Sequence, residues 1–554
     1  MTGERIADEV DDDPSTWPRR RFLPAIAAVL IAQATTSFDN AGITILVRPI
    51  QIDLGTTLTS VQYGVSGQLL FGAATVMVAS RLGELFGRTR ILMVGLVIRA
   101  IGAIITAAAP NALVFFIGRA ACGGIGTALA LVSGMAILGV RFAGPPRARA
   151  SALIVGAVAV STIAAPLLAG GFAGSIGWRW FYVICVCMWV VGIALVRYAP
   201  NIAASAASER VDLGGALLAV LAFGCLVFGI QQCTQWGLFE ARNPPFTIAD
   251  HSPSPFLIVI GLLLLGCFAW YEHTRRVAGR SILFDIRLLR DRYVRNAHIT
   301  LSAIGAVLFG VTFLVPLYLQ VVQGLSPFEA SLRTVAYGVG ALVMSLGVAR
   351  IVATRVLRWI NLTCIALLTV GLALVAWEIG PIPWGAVPAG MFALGLGLSL
   401  SKGPMSVATQ RAVPVEERGY VTAMSESAWA IGGALGVAVV GTIMLSTLTA
   451  GVLDLVRSDA RLSTQAQEVV QYHADQGIPL VSISRVQTVL EDAGLPSAEV
   501  DTLVDHYASA TNEALLWALA GAAIMLVIAI VSALRLPKVD QYADPAQAPP
   551  DRST

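Results

Sequence analysis

Asp39, Arg99, Arg119, Lys402 and Glu426 are charged side chains set inside long apolar runs of a 554-residue chain. A charge in hydrocarbon costs a few kcal/mol, roughly 2.5–3.5 on insertion scales, so each is a functional candidate by default. Asp39, in SFDNAGITILVRP, either carries a proton or caps a helix interrupted at Asn40 or Gly42. Arg119, in GRAACGGIGTA, keeps its proton, so its chemistry is to tune a neighbouring acid, hold an anionic group or bond backbone carbonyls. Arg99, in LVIRAIG, either pairs with a carboxylate or snorkels, and the sequence names no partner for it. Lys402 lies a few residues above the inner end of one run and Glu426 about two turns into the next, so their depths match. An intramembrane Lys402–Glu426 ion pair is expected, acting as a protonation-opened gate or as a staple between adjacent helices.

Other chemistries have no residues to run on. The seven cysteines lie in or beside apolar runs without metal-ligand spacing, the five histidines are scattered, and neither Lys402 nor Lys538 follows a glycine-rich phosphate loop. No catalytic residue, metal, cofactor or nucleic-acid partner is expected. The net charge of +3 carries little information by itself.

The elements that hold these charges are transmembrane helices. The chain is 56% hydrophobic and 13% charged with a mean hydropathy of +0.75, values of an all-α polytopic membrane protein. At about 20 residues per span, fourteen spans fit residues 22–47, 62–82, 90–109, 112–138, 150–173, 179–199, 212–232, 255–272, 297–320, 334–353, 358–378, 384–406, 419–446 and 512–535. Arginines crowd alternate loops: Arg19–Arg21, the 80–90 hinge, Arg141, Arg147 and Arg149, and the run from Arg275 to Arg295. The opposite short loops carry few, Arg48, Arg242 and Arg333, and the asymmetry puts both termini in the cytoplasm.

Between spans 2 and 3, SRLGELFGRTRIL packs Glu84, Arg88 and Arg90 around Gly83 and Gly87, a cytoplasmic latch in which glycines let helix ends approach. Span 5 carries Pro166 among small residues, which bends the helix and lets a neighbour seal against it. Trp178, Trp180 and Tyr182 mark an interfacial belt. Residues 447–511 are polar with apolar positions at helical spacing, in VQTVLEDAG and after Pro496-Ser497, and predict a small helical cap on the outer face. That cap either binds a partner or covers apolar surface.

These motifs together resemble the major facilitator superfamily, in its fourteen-span drug:proton antiporter branch. Leu82, Gly87, Arg88 and Arg90 match the loop signature G-x-L-a-D-r-x-G-R-k-x, with Ser80 and Glu84 departing from it. Arg119 and Gly123 match R-x-x-x-G-x-G, with Ile125 for the second glycine. Ala165 to Gly170 matches the antiporter motif G-P-x-l-G-G through Pro166 and Gly170, with alanine for two glycines. Trp178-Arg179-Trp180, Asp212 to Leu218, and Pro316 to Ala330 match further branch motifs, and Asp39 fits the acid of span 1.

The resemblance implies a major facilitator fold, two six-helix bundles plus two inserted central helices. Its organisation would be a disordered tail at 1–21, an N-terminal bundle at 22–199, the inserted pair at 200–272, a basic cytoplasmic linker at 273–296, a C-terminal bundle at 297–535 and a tail at 536–554. It implies a proton-coupled exporter of amphipathic small molecules in a bacterial cytoplasmic membrane, with lipid, protons and cargo as partners and 447–511 as a surface for an extracytoplasmic one. Asp39 first and Glu426 second would couple protons, with Arg119 tuning the acid; Glu84, Gly87, Arg88 and Arg90 would form the latch; Asp39 would touch cargo, and Tyr318 and Gln320 either bond cargo or cap the outer end of span 9. The alternatives are export of a lipid or of an endogenous metabolite or antibiotic, and a transport-inactive scaffold or sensor.

Overall fold

The computed structural model describes residues 23–141, 144–199, 212–236, 251–280, 282, 286–354, 357–377, 386–413, 418–459, 462–475 and 483–536. The N-terminal tail, nearly all of the C-terminal tail, the 237–250 loop with Arg242 and part of the basic linker lie outside these residues.

The first half holds α1 (Leu23–Asp53), α2 (Leu58–Phe86), α3 (Arg88–Ala107), α4 (Ala112–Phe116), a π-helical segment (Ile117–Cys122), α5 (Gly123–Arg141), α6 (Gly144–Ser175) and α7 (Arg179–Arg197). Two further helices follow, α8 (Leu213–Trp236) and α9 (Pro253–Val277), then a short 3-10 turn (Ile286–Arg290). The second half holds α10 (Arg292–Val321), α11 (Pro327–Thr334), α12 (Ala336–Thr354), α13 (Leu357–Trp377), α14 (Ala386–Arg411), α15 (Arg418–Ser458), α16 (Thr464–Asp475), α17 (Ile483–Asp492) and α18 (Ser497–Leu534).

Local chemistry sets several helix starts. Thr57, Asn111, Ser252 and Asp291 each accept from a backbone N–H of the first turn, and Ser326 with Glu329 forms a reciprocal capping box. Gly87, at φ +92°, makes the one-residue break between α2 and α3 that a residue with a side chain would resist.

Among the described residues, eleven helical stretches are long and apolar enough to cross a membrane, and twelve if the bent α2 is one span. Two more long helices lie outside that set: α1, which carries Gln33, Asp39 and Asn40 along its middle, and α14, which carries Lys402. The fourteen-span reading from composition is therefore met in its coarse form, an all-helical polytopic membrane protein.

In the first half α1 packs on α6 and α7, and α3 on α5 and α7; in the second, α10 packs on α15, α12 and α13 on α14, and α15 on α18. The halves meet where α2 runs against α15 and where α6 runs against α11 and α12. Helix α8 touches both halves: Gln231 donates to Ser66 of α2 at 2.8 Å, and Thr442 of α15 donates to the Ile230 carbonyl at 3.1 Å. At the other end of the α8–α9 pair, Asp212 accepts from Tyr271 at 3.1 Å and faces Arg275 at 3.1 Å.

Two helices run to about twice the thickness of a hydrocarbon core: at 1.5 Å per residue, the 41 residues of α15 and the 38 of α18 span roughly 60 Å. Spans drawn at 419–446 and 512–535 from hydropathy alone stop short because helical hydrogen bonding does not end at the headgroups. Leu448, Val452 and Val456 of α15 and Val500, Leu503 and Tyr507 of α18 stay buried beyond those limits, packed with Leu462, Ala466, Val470 and Leu490 of the α16–α17 region. His506 pairs with Asp459 at 3.3 Å in this outlying part. Its side of the molecule is called the cap side below.

Candidate functional site

A cavity of about 310 Å³ lies between the two halves. Its first-half wall includes Gln33, Thr36, Asn40, Gln68, Arg119, Thr127 and Pro166; the facing wall includes Phe309, Phe313, Tyr337, Lys402, Glu426 and Trp429. Most of the lining is apolar or neutral, with amides and hydroxyls spaced along it, the usual make-up of a small-molecule site. Gln68 donates to Asn40 at 3.1 Å, and Phe309 meets Trp429 edge-on with ring centres 5.8 Å apart.

Lys402 Nζ lies 2.7 Å from Glu426 Oε2 across α14 and α15, with side chains 32% and 18% exposed. The pair faces the cavity, so its charges are reachable from inside it. Glu426 is a carboxylate on the cavity wall held by one removable partner.

Asp39 is different. It sits in the middle of an unbroken α1, only 2% exposed, so it caps no interruption. Arg99 of α3 donates to its Oδ2 at 2.5 Å, and Arg119 of the π-helical segment donates to its Oδ1. Arg99 also donates to the Gly123 carbonyl at 3.2 Å and lies 4.8 Å over the Trp189 ring. This places a carboxylate between two guanidiniums, all buried, with a surplus of one positive charge. Burying such a cluster needs close backbone approach, which small residues allow. A Cβ on Gly126 would come within 2.8 Å of the Gly95 carbonyl and 2.9 Å of Arg99, so the glycine is what lets α5 meet α3 there.

Arg119 touches both places. It lines the central cavity on one side and, on the other, the small space bounded by Asp39, Arg99, Tyr182 and Trp189. The π-helical turn carries it: one wide turn among α-helical ones re-aims a side chain, and such bulges recur at functional sites.

The remaining residues singled out from sequence are placed as follows. Asp39 stands behind the cavity wall, while its neighbours Ser37 and Asn40 are on it. Tyr318 and Gln320, read from sequence either as cargo contacts or as caps of the outer end of span 9, are both buried and off the cavity wall, and Gln320 donates to the Ile45 carbonyl of α1 at 3.0 Å. In the hinge, Glu84 pairs with Arg81 at 2.6 Å, Arg88 donates to the Ala136 carbonyl of α5 at 3.1 Å, and Arg90 is exposed. Pro166 is on the cavity wall, and Gly170 abuts α11: a Cβ there would come within 2.6 Å of the Pro327 carbonyl. The Trp178-Arg179-Trp180 motif clamps the end of α1, since Trp178 donates to Asp53 at 3.1 Å and Arg179 pairs with the same carboxylate. Arg99 is the member of the buried cluster whose partner sequence reasoning left unnamed. Its signal was an arginine mid-span at a depth comparable with Asp39.

The sequence profile of the Major Facilitator Superfamily matches residues 29–437 of this chain. The chain belongs to that superfamily. It is therefore a membrane transporter and not an enzyme. Relatives include the Multidrug resistance protein B homolog of Mycobacterium tuberculosis, 27% identical over 76% of each chain. The Puromycin resistance protein pur8 of Streptomyces alboniger is 28% identical over 79% of this chain and 84% of its own. The Tetracenomycin C resistance and export protein of Streptomyces glaucescens is 26% identical over 78% of each. Among solved structures, a bacterial homolog of the human lysosomal transporter Spinster superposes with a TM-score of 0.56 at 13% identity, covering 94% of this chain and 98% of that one. At that identity the likeness concerns the fold.

Proposed function

We propose that the protein is a proton-coupled antiporter that exports amphipathic small molecules across a bacterial cytoplasmic membrane by alternating access, a multidrug efflux transporter of the fourteen-span kind. In this reading α1 and α14 complete the fourteen spans, both termini are cytoplasmic, and the cap side is extracytoplasmic. The two halves rock around the central cavity, and the α8–α9 pair rides between them.

The observation that carries the reading is Glu426, a titratable carboxylate on the wall of the inter-half cavity, paired with Lys402 at 2.7 Å. Protonation of Glu426 breaks that pair and loosens α14 from α15; deprotonation on the cytoplasmic side restores it. Asp39 and Arg119 take part differently. A proton on Asp39 would leave two buried guanidiniums without their counter-charge, so that carboxylate holds Arg119 in register with the cavity while Glu426 carries the proton. Cap-side contacts between Gln320 and Ile45, and between Gly170 and Pro327, support a resting arrangement closed on that side. The hinge of Glu84, Gly87, Arg88 and Arg90 is read as the latch of the opposite state; in the arrangement seen here Arg88 is bonded within its own half, to the Ala136 carbonyl of α5.

Relatives named for drug resistance support amphipathic drugs as cargo. One relative is named Tetracenomycin C resistance and export protein, which supports export of an endogenous metabolite or antibiotic as the second reading. In cells expressing the wild type, efflux of an amphipathic dye is expected to collapse on adding a protonophore. Glu426→Gln at equal expression should show no gradient-driven efflux; efflux unchanged in that variant would sink the coupling role given to Glu426.

A further inference from the structure

Among its described residues, the cavity wall carries cationic groups but no carboxylate free of a partner. Among the described residues lining it, the charged side chains are Arg119, Lys402 and Glu426. Glu426 is already matched by Lys402 at 2.7 Å. Asp39, whose neighbours Ser37 and Asn40 line the wall, is sequestered behind it between Arg99 and Arg119, a cluster with one positive charge in excess. An organic cation entering this space meets a neutral ion pair and a positive back wall. Like charge confined in one cavity is unfavourable, and no unpartnered carboxylate offsets it. What the wall does offer is neutral: the edge-on Phe309–Trp429 rings as a flat apolar face, and Gln68, Asn40 and Thr312 as hydrogen-bonding groups.

We propose that Lys402 determines cargo class: by occupying Glu426 it makes the cavity select uncharged amphipathic molecules bearing acceptor oxygens, and reject organic cations. The inference rests on reading the central cavity as the cargo site. Removing the ammonium while keeping the stem exposes the Glu426 carboxylate to the cavity and converts the site to a cation binder.

The test uses two probes of nearly the same size and shape, uncharged triphenylphosphine oxide and the cation methyltriphenylphosphonium, with equilibrium dialysis on the purified full-length protein. Wild type is expected to bind the oxide more tightly than the phosphonium. Lys402→Met should raise phosphonium affinity on the order of tenfold, with little change for the oxide. Lys402→Met combined with Glu426→Gln should lose that gain, and Lys402→Arg should keep the wild-type preference, which separates charge from general damage. A wild type that binds the phosphonium as well as the oxide, a Lys402→Met variant with no gain, or a protein that binds neither probe would overturn the proposal. Binding is measured without a gradient, so a protein that shows the charge preference yet moves no protons would contradict the antiporter reading and leave this one standing.

Discussion

Asp39 and Glu426 are both carboxylates paired with cations inside a membrane protein, yet their surroundings differ. Asp39 is 2% exposed and shared by two guanidiniums, while Glu426 faces a cavity with one lysine beside it. Breaking a buried pair by removing one partner costs about 3–5 kcal/mol, whereas a solvent-reachable pair is worth about 0–1 kcal/mol. Asp39→Asn is therefore expected to lower the thermal midpoint of the detergent-purified protein markedly, and Glu426→Gln only slightly. Equal shifts would show that Asp39 is not the buried anchor described here. These acids were legible in the sequence because a charge in an apolar run declares itself, and the matched depths of Lys402 and Glu426 foretold their meeting. The partner of Arg99 was not legible. Which face of α3 turns inward depends on packing with α1, α5 and α7, and Asp39 lies 60 residues away along the chain. Gln320 stays open in the sequence for a related reason: an amide at a span end can reach into a cavity or bond a neighbouring helix, and only the rotation of α10 decides.

At the scale of elements, close backbone approach does much of the positioning. Gly170 of α6 stands where a Cβ would come within 2.6 Å of the Pro327 carbonyl and 2.9 Å of Phe328. Gly170→Val should therefore force α6 from α11 on the cap side and bias the protein toward the arrangement open there. Spin labels on the cap-side ends of α6 and α11 should report a longer separation, and an unchanged distance would contradict the sealing role. Sequence gave the existence of nearly every helix, since 20-residue apolar runs are hard to read otherwise. It did not give the π-helical turn at Ile117–Cys122, because such a bulge follows from how α3, α2 and Arg119 are jointly accommodated. Nor did it give the full lengths of α15 and α18, whose buried faces continue past the apolar stretch used to draw the spans.

The whole molecule is two helical halves meeting at a cavity, with α8 bonded to both. Any rocking of one half against the other must carry α8 along or break its bonds to Ser66 and Thr442. Gln231→Leu, which removes one of them, should thus change transport rate while leaving cargo affinity within about twofold, since Gln231 is off the cavity wall. A lost affinity would mean that α8 shapes the site itself. The central claim is that cargo leaves in exchange for protons that Glu426 carries. The most direct test reconstitutes the purified protein in liposomes loaded with a pH-sensitive dye, adds an uncharged amphipathic cargo to one side, and compares wild type with Glu426→Gln. The account predicts cargo-dependent proton movement in the wild type and none in the variant, with cargo binding retained. Proton movement of equal size in both, or cargo movement in the wild type without protons, would contradict it.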